Sequence, residues 1–129
     1  MTKWNIDRGK KPTGGRIKLN RKKRRYQKGS IPLLTEIGKD KKIKKRCRGG
    51  IEKIKLVSTQ FVNIADTKNK KYKSKVKIID VVENPASPHY VRRGIITKGA
   101  IVMTEIGKVK ITSRPSQDGV VNGIVVEGK

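Results

Sequence analysis

The stretch Tyr72-Lys73-Ser74-Lys75-Val76-Lys77-Ile78-Ile79-Asp80-Val81-Val82 carries the strongest local pattern in the chain. Its apolar residues are mostly β-branched and run almost without interruption at the C-terminal end, which predicts a strand. Ahead of it, Ile51, Ile54, Leu56 and Val57 begin a segment that continues through Phe61, Val62 and Ile64 to a turn at Asp66-Thr67-Lys68-Asn69. Earlier still, Leu33-Leu34-Thr35-Glu36-Ile37 reads as a strand ended by Gly38. After the central stretch, Asn84-Pro85 and Ser87-Pro88 mark a loop. Val91 to Ile96, Ala100 to Ile106, Val109 to Thr112 and Val120 to Val126 follow, with Pro115 to Gly119 as the turn before the last. Six or seven short segments with turn residues between them, and no long amphipathic helix, predict a mainly β fold, a small barrel-like domain over residues 31–129. Closure into a barrel also removes exposed sheet edges.

One internal echo stands out. Thr35-Glu36-Ile37-Gly38-Lys39 recurs as Thr104-Glu105-Ile106-Gly107-Lys108. The expectation is two equivalent hairpins of one β-domain. Asp80, inside an apolar strand, is expected to be a hydrogen-bonded structural carboxylate.

Residues 1–30 are different. They show no usable period, and Pro12-Thr13-Gly14-Gly15 breaks any helix. Arg21-Lys22-Lys23-Arg24-Arg25 places five cations in a row, closed by Tyr26. Adjacent like charges repel and cannot enter a core without partners. The segment reads as a basic, irregular arm, disordered in the free protein and ordered by a polyanion. Residues 20–28 could form a short helix on that partner.

The whole chain carries 34 Lys+Arg against 10 Asp+Glu, a formal net charge of +24. Residues 1–56 hold +17 of it and residues 57–129 the other +7. Such an excess implies an acidic partner, nucleic acid or an anionic membrane. The membrane is disfavoured. No apolar run approaches the roughly 20 residues of a spanning helix, and the basic block has no apolar stripe to bury in an interface. The N-terminal MTKWNIDRGK has no apolar core segment of a signal peptide. One cysteine, Cys47, excludes an internal disulfide and fits a reducing cytoplasm.

The candidate nucleic-acid contacts fall into three groups. In the arm, Lys10, Lys11, Arg16, Lys18, Arg21, Lys22, Lys23, Arg24, Arg25 and Lys28 supply phosphate-neutralising charge. Thr13, Gly14 and Gly15 offer close backbone approach, without the spacing of a nucleotide-hydrolysing P-loop. Tyr26 can stack on an unpaired base. The second group is Lys41, Lys42, Lys44, Lys45, Arg46 and Arg48, closed by Gly49 and Gly50. Strand alternation splits these charges between two faces, so the segment must be an edge or surface strand. The third, weaker group is Arg92, Arg93 and Lys98.

No catalytic residue set emerges. His89 is the single histidine and lacks metal-ligand spacing, and it reads as an exposed loop residue. Nothing pairs acids or sets a nucleophile beside a base. No cofactor, metal, small-molecule substrate or enzymatic activity is expected, and the free chain is expected to be a monomer. Zinc spacing, a zipper and a helix-turn-helix are missing. With 4% aromatic residues the chain is poorly suited to reading a single strand, and suits folded RNA gripped by its backbone.

The order of motifs then becomes familiar. Lys11-Pro12-Thr13-Gly14-Gly15-Arg16, Arg21 to Tyr26, Thr35 to Gly38, Arg48-Gly49-Gly50 and Ile78 to Asn84 occur in sequence, followed by Gly94 to Val102 and Thr112 to Pro115. From about Lys11 to Val126 the chain resembles small-subunit ribosomal proteins eight of the archaeal and eukaryotic type. The resemblance implies a β-barrel-like body with basic extensions. It implies a structural constituent of the cytoplasmic small ribosomal subunit, bound to ribosomal RNA and to neighbouring proteins. An assembly or RNA-chaperone factor with the same surface is the alternative. Asn20 departs from relatives that carry an aromatic residue before the basic block, so no stacking is expected there.

Overall fold

A computed structural model describes residues 4–6, 9–66 and 71–126. The chain divides into two compact units, Met1–Pro32 and Leu33–Lys129.

The larger unit contains, in order, β1 (Thr35–Ile37), β2 (Lys41–Arg46), β3 (Glu52–Thr59), β4 (Phe61–Asp66), β5 (Lys71–Glu83), α1 (Pro88–Arg92), β6 (Ile95–Ile96), β7 (Ile101–Thr104), β8 (Gly107–Ile111), α2 (Pro115–Asp118) and β9 (Asn122–Val125). Strands β4, β5, β7, β8 and β9 close a barrel, and the other four form a sheet in the order β2-β3-β1-β6. The barrel is antiparallel except at its closure, where β4 runs parallel to β9.

Alternation builds the core. In β4, Val62 and Ile64 point inward; in β8, Val109 and Ile111 do. Val76, Ile78, Val81, Val102 and Val121 complete the barrel filling, and Leu56 of β3 and Ile96 of β6 join it from the sheet. Asn84 is buried and hydrogen-bonded at both side-chain polar atoms. Its Nδ2 donates to the Ile95 carbonyl at 3.0 Å, and its Oδ1 accepts from the Ala86 N–H at 3.1 Å and the Thr97 hydroxyl at 2.8 Å.

The mainly β, barrel-containing architecture is as expected, but the described residues hold nine strands rather than six or seven segments. The apolar segment from Ile51 to Ile64 is two strands. Gln60 separates them, with β3 serving the sheet and β4 the barrel. The segment Val91 to Ile96 is not one strand. Pro88 starts α1 behind the Ser87 cap, whose hydroxyl accepts from the His89 N–H at 3.3 Å, and only Ile95–Ile96 is extended. His89 is therefore exposed on a helix, not in a loop. The turn from Pro115 is a single turn of helix, its start held by Asp118, whose Oδ2 accepts from the Arg114 N–H at 2.7 Å. The expected turn at Asp66 to Asn69 falls largely outside the described residues.

The central stretch is a strand of 13 residues, with two bulges near its C-terminal end. The register slips between Ile78 and Asp80 and again between Val81 and Glu83. Ile78 and Val81 both reach the core, while Ile79 and Val82 are exposed at 60% and 45%. Asp80 is exposed at the first bulge, and its Oδ1 accepts from the Val81 N–H at 2.7 Å.

The repeated Thr-Glu-Ile-Gly-Lys does not make two equivalent hairpins. The second copy does turn from β7 into its neighbour β8, with the Thr104 hydroxyl donating to the Gly107 carbonyl at 2.8 Å. The first leaves β1, which pairs parallel to β3 and antiparallel to β6, never with β2. There the buried Thr35 hydroxyl donates to the Leu56 carbonyl at 2.8 Å. A five-residue identity leaves long-range pairing free to differ.

Candidate nucleic-acid interface

In the smaller unit, every residue from Gly9 to Tyr26 is exposed. The arm is not featureless. Lys10 and Arg16 face each other across an antiparallel bridge. The Lys11 N–H donates to the Gly15 carbonyl at 2.8 Å and the Gly14 N–H to the Lys11 carbonyl at 2.9 Å. Pro12, with its fixed φ, and Gly14 make this tight turn possible. It presents Thr13, Gly14 and Gly15 at a tip flanked by two facing cations. Like charges directly opposite on a ladder repel, and an anion between them relieves that cost.

The basic block bends at Asn20–Arg21, is extended at Arg24 and then makes one 3-10 turn over Arg25–Gln27 rather than a helix across residues 20–28. Gln27 holds this turn. Its Oε1 accepts from the Arg24 N–H at 2.9 Å, and its carbonyl accepts from the Asn5 N–H at 2.8 Å. Trp4 bridges to Lys28. Lys23 Nζ lies 5.5 Å from the Trp4 ring centroid, and the Arg21 guanidinium lies 5.8 Å from that of Tyr26. Both are cation–π distances, so a ring face that could stack on a base already carries a cation. Residues from Arg16 to Lys23 surround an open concavity of about 750 Å³.

In the larger unit, β2 lies at the edge of its sheet and all six of its residues are exposed. Its turn into β3 is a 3-10 turn, Arg48–Gly50, in which Gly49 and Gly50 take φ of 74° and 75°. Those left-handed values favour glycine at both positions. The Cys47 N–H closes the turn on the Ile51 carbonyl at 2.7 Å. The resulting register sets Lys45 opposite Lys53, Ile43 opposite Lys55 and Lys44 opposite Ile54. Lys53 and Lys55 therefore join the basic face. Sequence reading missed them because they sit in a segment judged by its apolar residues. Counting back across the Gly49-Gly50 turn would have found them. Lys42, Lys44 and Arg46 meet no carboxylate at ion-pair distance among the described residues. Lys45 and Lys53 are the one facing lysine pair in this register, and Arg46 stands opposite Glu52. An exposed edge strand with five cations is suited to contact with phosphates.

The third group is not brought together as one cluster. Arg92 ends α1, and Lys98 is exposed in the turn after β6. Arg93 donates to Glu36 Oε1 of β1 at 3.2 Å. That pair is half exposed and therefore weak enough for a phosphate to compete with it.

Among the described residues no group of three or more His, Cys, Asp or Glu could hold a metal ion. No helix among them is long and apolar enough to cross a membrane. Cys47 is half-buried, its thiol directed to the Lys45 carbonyl at 3.7 Å.

Comparison with known proteins accords with this arrangement of barrel and basic segments. The chain is 46% identical over 127 residues to the small ribosomal subunit protein eS8 of Sulfolobus acidocaldarius, an alignment covering 98% of each chain. Residues 4–126 match the family described as ribosomal protein S8e. The chain belongs to the ribosomal protein S8e family.

Proposed function

We propose that this chain is a structural, non-enzymatic component of the cytoplasmic small ribosomal subunit that grips folded ribosomal RNA by its backbone. Two elements do so, the arm of residues 1–30 and the edge strand β2 with the facing lysines of β3. The observation that carries this reading is the edge strand β2, whose six residues are all exposed and five of which are cations. A row of phosphates along such an edge is attracted by the closely spaced charge. Every arm residue from Gly9 to Tyr26 is exposed, and the arm gains order on the RNA. The family and the relative named for the small ribosomal subunit support ribosomal RNA as the polyanion, with neighbouring subunit proteins as further partners. The free chain is a monomer.

Two variants test it. Replacing Arg21 to Arg25 with Ser, or Lys42, Lys44 and Arg46 with Glu, should each weaken binding to small-subunit ribosomal RNA about tenfold or more. Both should leave the melting temperature of the β-unit nearly unchanged, because every altered side chain is exposed. Undiminished affinity in both variants would overturn the proposal.

A further inference from the structure

The larger unit holds a concavity that shares only Lys42 with the backbone grip. Its volume is about 390 Å³, inside the range of about 300–1,000 Å³ usual for small-ligand sites. Buried Leu56 and Val121 floor it, while Asp40, Lys42, Phe61 and Lys75 stand around its rim.

Three features of the rim are unusual together. Phe61 directs its ring outward, because Val62 and Ile64 of the same strand take the core side. Phe61 is 40% exposed on a strongly cationic molecule. An exposed ring beside lysines is what stacks an unpaired base. Lys75 is the one described non-glycine residue with positive φ, at 55°. It sits where the β4–β5 register slips between Val62 and Ile64. Asn63 braces it there. Asn63 Oδ1 accepts from the Lys75 N–H at 3.3 Å, and its Nδ2 donates to Asn122 Oδ1 at 3.1 Å. Glycine would hold this backbone without strain, whereas the lysine here places an ammonium group at the rim at some cost in backbone strain. Asp40 is anchored at one oxygen, where Oδ1 accepts from the Thr59 hydroxyl at 2.7 Å and the Gln60 N–H at 3.2 Å. A carboxylate has lone pairs to spare beyond these two.

We propose that this concavity takes a single unpaired nucleotide of RNA. The base stacks on Phe61, the phosphate lies between Lys42 and Lys75, and Asp40 accepts from a ribose hydroxyl or an exocyclic amino group. The proposal rests on the reading that the chain binds RNA, and adds a base-holding site to a grip otherwise made on phosphates.

The test is a titration of the isotope-labelled full chain with adenosine monophosphate and, separately, with inorganic phosphate at matched ionic strength, followed by amide resonances. The nucleotide should move Phe61, Lys75, Val121 and the Asn63 side-chain amide, and phosphate should leave Phe61 and Val121 in place. Phe61→Ala should weaken the nucleotide response about fivefold or more, the lower bound for loss of one stacked base. Phe61→Leu keeps apolar bulk and should show the same loss. Lys75→Gly should raise the melting temperature and still weaken nucleotide binding, a combination that a purely structural lysine would not give. Identical responses to nucleotide and phosphate, or full nucleotide affinity in both Phe61 variants, would overturn the site. If the pocket ignores the nucleotide while Arg21 to Arg25→Ser still weakens ribosomal RNA binding, this site falls and the RNA reading stands. If ribosomal RNA is not bound at all, the RNA reading falls and this site with it.

Discussion

At the scale of single residues, packing geometry sets the sharpest constraints. Gly123 lies in β9 against β8, and a Cβ there would sit 2.5 Å from Val109 Cγ1 and 2.9 Å from the Lys110 carbonyl oxygen. One neighbour is backbone and the other a core valine, so neither can yield cheaply. Gly123→Ala should cost about 1–3 kcal/mol, the usual penalty of overpacking a filled core. A denaturant midpoint unchanged from the parent would contradict this packing. A lone glycine inside a strand pattern signals close approach of another backbone. The sequence does not say which backbone, since that depends on the β8–β9 register. Arg93 shows the same limit, because the Glu36 that engages it is distant in sequence. Lys75 reads as one of several strand lysines until its φ is known.

At the scale of elements, local pattern identified strands well and their ends poorly. The central apolar run is a strand, as its β-branched residues require, but its near-continuity does not say which residues face the core. A bulge lets Ile78 and Val81, three residues apart, both face inward and leaves Ile79 and Val82 outward, and no single-strand pattern encodes it, since it arises from the mismatch with β7. The split of residues 51–64 at Gln60 was invisible for a related reason. Both halves are apolar, and only their different partners separate them. The edge character of β2 was legible, because cations on both faces leave no face for a core. Its lysines also guard the edge, since an uncharged open strand recruits another. Replacing Lys42, Lys44 and Arg46 with Thr should therefore produce stronger concentration-dependent self-association in sedimentation than the parent shows. A monomeric variant would contradict that protective role.

At the scale of the whole molecule, charge and fold answer different questions. A net charge of +24 opposes compaction by self-repulsion, and most of it lies in residues 1–56. Charge alone did not distinguish one polyanion from another. The order of motifs from Lys11 to Val126 resembles one family instead, and the match of residues 4–126 to the ribosomal protein S8e family agrees with it. The four-stranded sheet carries β2 and the barrel carries Phe61 and Lys75, while the arm supplies the densest charge. The most direct test of this division is the salt dependence of binding to small-subunit ribosomal RNA. If about eight phosphates are neutralised, log K should fall against log salt with a slope of roughly −6 to −7, and the Arg21 to Arg25→Ser variant should flatten it. A slope near zero, or one that the variant leaves unchanged, would contradict a backbone grip led by the arm.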